Sequence, residues 1–381
     1  MQESAAEGVW DVVVVGAGPA GCAAAAAAVT ARPGARVLLL DRAGFPRDKV
    51  CGDGVADEVF DVLAGVGFDV AALTAGFPPV HRLQLTSPGG AVAGGRLGRP
   101  AHVVPRQVLD ARLVADVLGR GIPLRRHRVR SLEVSGDGVL VDGSLRARVV
   151  IGADGAESVV RRLAGVPANR PDQVAVAIRG YAPVPADRRD VQVITMSRRR
   201  WPAYAWSFPL GDGRANVGYG HLLHGPPVGR ADLLAELDRL LPGAADGITD
   251  VRGHRLPLST GRPAVREGRV LLAGDAQSLI NPLTGEGIYY AVLSGVLAGR
   301  AAVHGPAAGR LYRRSVRSAL SRHLRHTDVA AALGRRPWVI DAGVAAAARD
   351  ERAFDDLVDL GLTDGLLTAR TLRGLVSARF R

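Results

Sequence analysis

Three acids and one thiol in this chain stand beside or within a few residues of glycines, near the points where apolar runs end. Asp41 closes the stretch VVVVGAGPAGCAAAAAAVTARPGARVLLLD, residues 12 to 41, and lies 25 positions after Gly16. Cys51 opens the loop Cys51-Gly52-Asp53-Gly54, two residues after Lys49. Asp154 sits in GADG, and Asp275 follows Gly274 ahead of Pro282, Gly285 and Gly287. Carboxylates placed this way accept hydrogen bonds from sugar hydroxyls, and glycine-flanked helix starts offer N–H groups to phosphates. The first stretch is a dinucleotide fingerprint in its full strand-helix-strand context. Gly16 permits the tight turn, Gly18 lets the backbone approach a pyrophosphate, and Gly21, after Pro19 and Ala20, lets helix and strand pack closely. An acid at 41 suits a ribose 2′-hydroxyl and opposes a 2′-phosphate, which leaves FAD or NAD as the nucleotide. The thiol at 51 has two readings that the residues leave open. It is a small buried hydrophobe, or a functional thiol whose pKa the neighbouring Lys49 lowers.

Positioning these groups takes two kinds of sheet. The runs before Gly16, Asp41, Asp154 and Asp275 read as parallel strands with the acids at their carboxyl ends, the ligand-facing side of such sheets. Residues 55 to 65 and 105 to 119 read as helices, and Arg106 and Asp110 form an exposed i,i+4 pair on the second. His81 to Leu97 reads as two strands around Pro88-Gly89-Gly90, and the stretch from Arg125 to Gly143 as a hairpin. From about Asp172 the runs alternate, as in an antiparallel sheet apolar on one face, with a helix near 231 to 241. Such a sheet can roof a cavity presented by the nucleotide domain. The tail from Arg300 carries 15 arginines against eight acids and reads as helices, with Leu320, Leu324, Val329 and Ala330 at core spacing and further helices near 342 to 359 and 365 to 380. Its roles stay open between packing on the protein's own core, docking on a membrane surface and meeting an acidic partner.

Composition narrows the class. A chain of 381 residues exceeds one core, so two domains are expected. The net charge is +12, Lys49 is the single lysine, and aromatics make up 4%. No nucleic-acid motif accompanies that charge, so nucleic-acid binding is not expected. Two cysteines, Cys22 and Cys51, provide neither a disulfide framework nor a metal cluster. No apolar run is long enough to span a bilayer and no export signal is visible, so a cytoplasmic location is expected, with contact at the inner membrane face left open.

Five motifs in order carry a resemblance. GAGPAG at 16 to 21, FPRDKVCGDG at 45 to 54, GADG at 152 to 155, YAWSFPLGDGRANVG at 204 to 218 and GDAQSLINPLTGEGIYYAVLSG at 274 to 295 resemble the geranylgeranyl reductase family. That family lies within the FAD enzymes of the para-hydroxybenzoate hydroxylase fold, and the likeness covers about residues 10 to 300. It implies an α/β fold: a Rossmann-like FAD-binding domain of the glutathione-reductase βαβ type, an inserted antiparallel β-sheet substrate domain and a helical C-terminal tail. The boundaries expected are 1–75, 101–171 and 266–310 for the FAD domain, 76–100 and 172–265 for the sheet domain, and 311–381 for the tail.

The resemblance also assigns residues. Gly16, Gly18, Pro19, Ala20 and Gly21 would hold the pyrophosphate of FAD, and Asp41 with Arg42 the adenine-side ribose. Arg106 would reach FAD, Asp154 would contact FAD or a pyridine nucleotide, and Gly274 with Asp275 would bind the ribityl side. Pro282, Gly285, Glu286, Gly287 and Ile288 would line the isoalloxazine. Cys51 and Gly52 match the active-site loop, and Tyr204, Trp206 and Phe208 the substrate pocket.

The activity implied is reduction of carbon-carbon double bonds in a prenyl or polyene substrate, with hydride from flavin N5. Cys51, or a water it holds, is the first candidate proton source, followed by Tyr289 and Tyr290. With only one complete fingerprint, NADPH or NADH visits transiently, or an external flavin reductase or ferredoxin supplies electrons; a carrier protein is a further candidate partner. The alternative is a monooxygenase, hydroxylase or epoxidase, of a hydrophobic natural product. Relatives include flavin halogenases, whose Trp-x-Trp-x-Ile-Pro signature is replaced here by Tyr204, Trp206, Phe208 and Pro209, so halogenation is disfavoured. A non-redox cyclase that uses FAD as scaffold is the rival outside redox chemistry.

Overall fold

The computed structural model describes residues 8–226 and 228–371. Most of the expected helix over 365 to 380 lies outside the described residues. The valine run is β1 (Trp10–Val15), with Val12 to Val14 fully buried as in a parallel strand covered on both faces. It turns at Gly16 into α1 (Pro19–Ala31), which returns the chain to β2 (Val37–Asp41) parallel to β1. Then come β3 (Gly54–Ala56), α2 (Asp57–Ala64) and α3 (Val70–Thr74). The expected hairpin is β4 (Pro79–Thr86) with β5 (Val92–Val103), and α4 (Arg106–Gly119) follows.

The basic run after α4 divides. β6 (Leu124–Arg126) pairs in parallel with β2, and only β7 (Leu132–Val134) and β8 (Val139–Val141) make the hairpin expected over the whole stretch. β9 (Leu145–Gly152) runs beside β1 and leads to α5 (Val159–Leu163). Beyond it lie β10 (Val174–Pro183), β11 (Gln192–Met196), β12 (Ala203–Pro209), β13 (Arg214–Leu222), α6 (Arg230–Leu240) and β14 (Thr249–Pro257). β15 (Val270–Leu272) returns to the first sheet, followed by α7 (Ile288–Ala302), α8 (Ala308–Gly334), α9 (Pro337–Ala347) and α10 (Glu351–Leu362).

Two sheets result. The first runs β6-β2-β1-β9-β8-β7, with β15 also on β9. The second runs β14-β10-β13-β12-β11-β4-β5-β3. The second is mixed, where an antiparallel sheet was expected, because β11 and β4 pair in parallel. Antiparallel neighbours usually arise from hairpins. β4 and β11 are separated instead by β5, by β6 to β9 of the first sheet and by β10, so no tight turn joins them. β3 and the end of β5 also belong to this sheet, so it takes in residues 54–56 and 101–103 beyond the boundaries expected for it.

Small residues set the helix packing. Ala23 to Ala28 are all buried, because α1 lies between the sheet and α7. A Cβ on Gly295 would stand 2.2 Å from the Ala20 carbonyl oxygen, and one on Gly299 2.1 Å from that of Ala24. The tail packs on the protein itself: Val344, Ala347 and Phe354 join a core with Leu83, Leu85 and Leu97 on the second sheet. On α8, Leu320 and Leu324 are buried as their spacing requires, whereas Val329 is 52% exposed.

Candidate functional site

Between the two sheets opens a cavity of about 1580 Å3. Pockets for single small ligands usually measure about 300–1,000 Å3, so this one has room for a nucleotide and a second molecule. At one end its wall is the turn into α1, with Gly16, Gly18, Pro19 and Ala20 lining it. Gly16 has φ +102°, and a Cβ there would lie 2.3 Å from the Ala153 oxygen. A Cβ on Gly18 would meet Nη2 of Arg47 at 3.5 Å and Nη2 of Arg106 at 3.7 Å, so two guanidinium groups stand over the turn. No side chain caps the helix at Gly18 and no acid occupies its first turn. N–H groups, a helix dipole and two cations meeting at a side-chain-free turn suit a pyrophosphate. The residues present therefore fit FAD.

Asp41 and Arg42 line the same end. The Asp41 carboxylate accepts from Ala17 N and Ala43 N, both at 2.8 Å, so it braces the turn as well as facing the cavity. Arg106 differs from expectation. Its pair with Asp110, at 2.6 and 2.8 Å, is buried rather than exposed, because α4 turns this face inward beneath the 51–54 loop. Burial alone would lower the guanidinium pKa, and the Asp110 charge overrides it and raises the value.

At the other end stands the loop Cys51 to Gly54. Cβ atoms on Gly52 and Gly54 would each lie 3.4 Å from the Phe208 ring, so glycine lets the loop lie flat on Trp206 and Phe208. Asp53 is wholly buried with φ +60°, and three groups donate to its carboxylate. Tyr181 donates its hydroxyl at 2.6 Å, Asn216 donates Nδ2 at 2.7 Å, and Arg106 donates its backbone N–H at 3.1 Å. Asn216 Nδ2 also reaches the Cys51 carbonyl at 2.9 Å, while its Oδ1 accepts from Trp206 Nε1 at 2.9 Å. Behind Tyr181 the fully buried Arg179 pairs with Asp48. Burial pushes the Asp53 carboxyl up to about 6, against the hydrogen bonds that favour its charge.

Cys51 lines the cavity, but its thiol is not activated in the expected way. The Lys49 ammonium turns to Asp275 Oδ2 at 2.9 Å. Burial, followed by the Asp53 charge, pushes the Cys51 thiol up to about 11. Asp275 is held below its ordinary value by Lys49, in spite of burial that opposes ionisation. Asp154 lines the cavity while its carboxylate caps α5, accepting from Ser158 Oγ at 2.5 Å and Val159 N at 2.7 Å.

Gly285, Glu286, Gly287 and Ile288 line the wall near Cys51, and burial pushes the Glu286 carboxyl up to about 7. Tyr204, Trp206 and Phe208 line it from β12, and the Tyr204 hydroxyl donates to the Thr284 carbonyl. Five expected residues stand apart from the lining. Gly21 and Gly274 sit behind it, and a Cβ on Gly21 would be 1.7 Å from the Gly16 oxygen, the close packing its position implied. Pro282 faces away. Tyr289 and Tyr290 point to the opposite side of α7, and the Tyr290 hydroxyl donates to Thr363 O at 2.8 Å and lies 2.8 Å from His323 Nε2. Tyr290 ties down the tail and does not reach the cavity. Asp53, Asn216, Tyr181 and Arg179 were not singled out, nor was His254, which lines the cavity with a buried Nε2 that has no partner among the described residues. The acid inside CGDG and the asparagine in RANVG were the available signals.

Comparison with known proteins agrees with FAD binding. The family described as FAD binding domain matches residues 9–205. The menaquinone reductase of Mycolicibacterium smegmatis is 34% identical over 311 residues, 76% of this chain and 75% of that protein. Digeranylgeranylglycerophospholipid reductase 1 of Methanopyrus kandleri is 36% identical over 317 residues, 77% of this chain and 80% of that protein. The crystal structure of a geranylgeranyl bacteriochlorophyll reductase-like protein from Thermoplasma acidophilum has the same fold, with a TM-score of 0.80 over 97% of this chain and 96% of that one at 21% identity. The chain is an FAD-dependent oxidoreductase and belongs to the geranylgeranyl-reductase-like FAD-binding flavoproteins of the para-hydroxybenzoate hydroxylase fold group.

Proposed function

We propose that this protein saturates carbon-carbon double bonds in the polyprenyl chain of a lipid or quinone. The carrying observation is one cavity that joins a pyrophosphate-type turn to an apolar wall of Ile194, Trp206, Phe208, Ile280 and Leu362 beside the Cys51 thiol. The relatives named for menaquinone and digeranylgeranylglycerophospholipid support it, since both names denote polyprenylated molecules.

In this reading Gly16, Gly18 and the first turn of α1, with Arg47 and Arg106, hold the FAD pyrophosphate. Asp41 and Arg42 take the adenosine ribose, Asp275 the ribityl chain, and Gly285 to Ile288 the isoalloxazine. When bound, FAD supplies the hydride. The chain's own residues exclude water, hold the alkene against Trp206 and Phe208, and keep a proton at Cys51 Sγ. A thiol near 11 stays protonated at neutral pH, and the Arg106 charge favours the thiolate left after it gives its proton up. Glu286, near 7, is a second proton store on the same wall. NADPH or NADH as a visitor, or an external reductase or ferredoxin, recharges the cofactor, in line with the single complete fingerprint at 12–41.

The test is anaerobic turnover of dithionite-reduced protein with geranylgeranyl lipids and menaquinone, read by mass. The expected product gains two hydrogens per bond. A product carrying oxygen under air, with no saturated product under any of these conditions, overturns the reading in favour of a monooxygenase.

A further inference from the structure

We propose that the corner between α8 and α9 is a docking surface for an anionic lipid bilayer. Seven large apolar residues are well exposed among the described residues, and three of them, Val329, Leu333 and Trp338, at 52%, 38% and 41%, fall within ten positions here. Val329 and Leu333 are one turn apart on α8, and Trp338 opens α9 after a two-residue link. Single exposed apolar side chains need no explanation, whereas a cluster of them marks a contact surface.

Charge identifies the occupant. The link itself is Arg335-Arg336, both exposed, and the exposed Arg322 and Arg325 precede the cluster on α8. No acid occurs from Arg300 to Thr327. The nearest acids are engaged: Asp328 pairs with Arg262 at 2.7 Å, and Asp341 accepts from Gly89 N. Tryptophan and leucine amid arginines match the boundary between headgroups and acyl chains, where arginines meet lipid phosphates. A second copy of this chain would set the same arginines against each other across a two-fold axis, which opposes self-association.

The surface also adjoins the cavity. Trp201 Nε1 donates to the Gly334 carbonyl at 2.8 Å, and a Cβ on Gly334 would lie 3.7 Å from Leu283. The next residue, Thr284, lines the cavity together with Leu362. A chain leaving the bilayer at this corner therefore has a short path to the apolar wall. That use rests on the polyprenyl reading above, while the docking itself is measured without substrate.

The experiment is co-sedimentation of the flavin-loaded, full-length protein with phosphatidylcholine vesicles, with and without phosphatidylglycerol. Binding is expected on phosphatidylglycerol vesicles and should fall as salt rises. Leu333→Gln with Trp338→Ser, and separately Arg335→Glu with Arg336→Glu, should each weaken it about tenfold or more. Flavin content, thermal midpoint and turnover of a short soluble prenyl substrate should match the parent in both variants. Absence of vesicle binding, binding unchanged in both variants, or a dimer that dissociates in the Leu333→Gln, Trp338→Ser variant would overturn the proposal. Failure of the parent to turn over any prenyl substrate would strike the polyprenyl reading alone.

Discussion

The two ends of the cavity are built from different materials. At the α1 end the working parts are main-chain N–H groups, a helix dipole and positions where a Cβ cannot fit, such as Gly16 and Gly21. At the Cys51 end they are ionisable side chains: the buried Asp53 and Arg179, held by partners from distant segments, and Glu286 at the start of α7. Backbone recognition resists a change of pH and fails only when the packing fails. A network of buried charges is tunable and fails one bond at a time.

The comparison can be broken most forcefully at Gly21. A Cβ 1.7 Å from the Gly16 oxygen leaves α1 no room, so Gly21→Val should destabilise the protein by about 4 kcal/mol or more and abolish flavin retention. Thermal unfolding and absorbance would show it. At the other end, Cys51→Ala should keep its flavin while prenyl turnover falls about 10³-fold, the scale of a lost proton donor. Equal turnover in this variant would remove the thiol from the reaction.

Asp53 sharpens the contrast through pH. Its folded value, about 6, lies above the ordinary 3.8, so the folded chain binds this proton more tightly than the unfolded chain does. The sign follows: stability from this group is greatest at low pH and declines as pH rises from about 4 through 6, by about 3 kcal/mol at most. Asp53→Asn tolerates the positive φ and should flatten that decline in chemical denaturation from about pH 4 to about 7, which covers the shift, while turnover drops less than in Cys51→Ala. The smallest effect belongs outside both ends. Tyr290→Phe should lower stability by about 1–2 kcal/mol, through unsatisfied Thr363 and Asn281, and leave turnover unchanged. A large loss of turnover with flavin retained would return this tyrosine to the proton path.

What could be read before folding divides along the same line. The α1 turn was legible because its glycines, valines and closing acid are local, and each has one geometric use. Arg106 and Asp110 looked like a surface pair because four-residue spacing fixes a shared helix face and says nothing of what covers it. Tyr289 and Tyr290 follow the right loop, yet the helix keeps both out of the cavity lining and sets the Tyr290 hydroxyl against His323 and Thr363. Lys49 is two residues from Cys51 along the chain, but its ammonium meets Asp275, 226 positions on.

By itself the sequence determined the nucleotide fingerprint, the α/β class with its inserted sheet, and the apolar run of α1, since strand alternation, helix spacing and glycine geometry are short-range properties. Only the tertiary structure decided that the inserted sheet is mixed, that Asp53 is the buried hub behind the thiol, and that Val329 faces outward. Burial and electrostatic coupling depend on which distant segments exclude water from a group, and that is a property of the assembled chain.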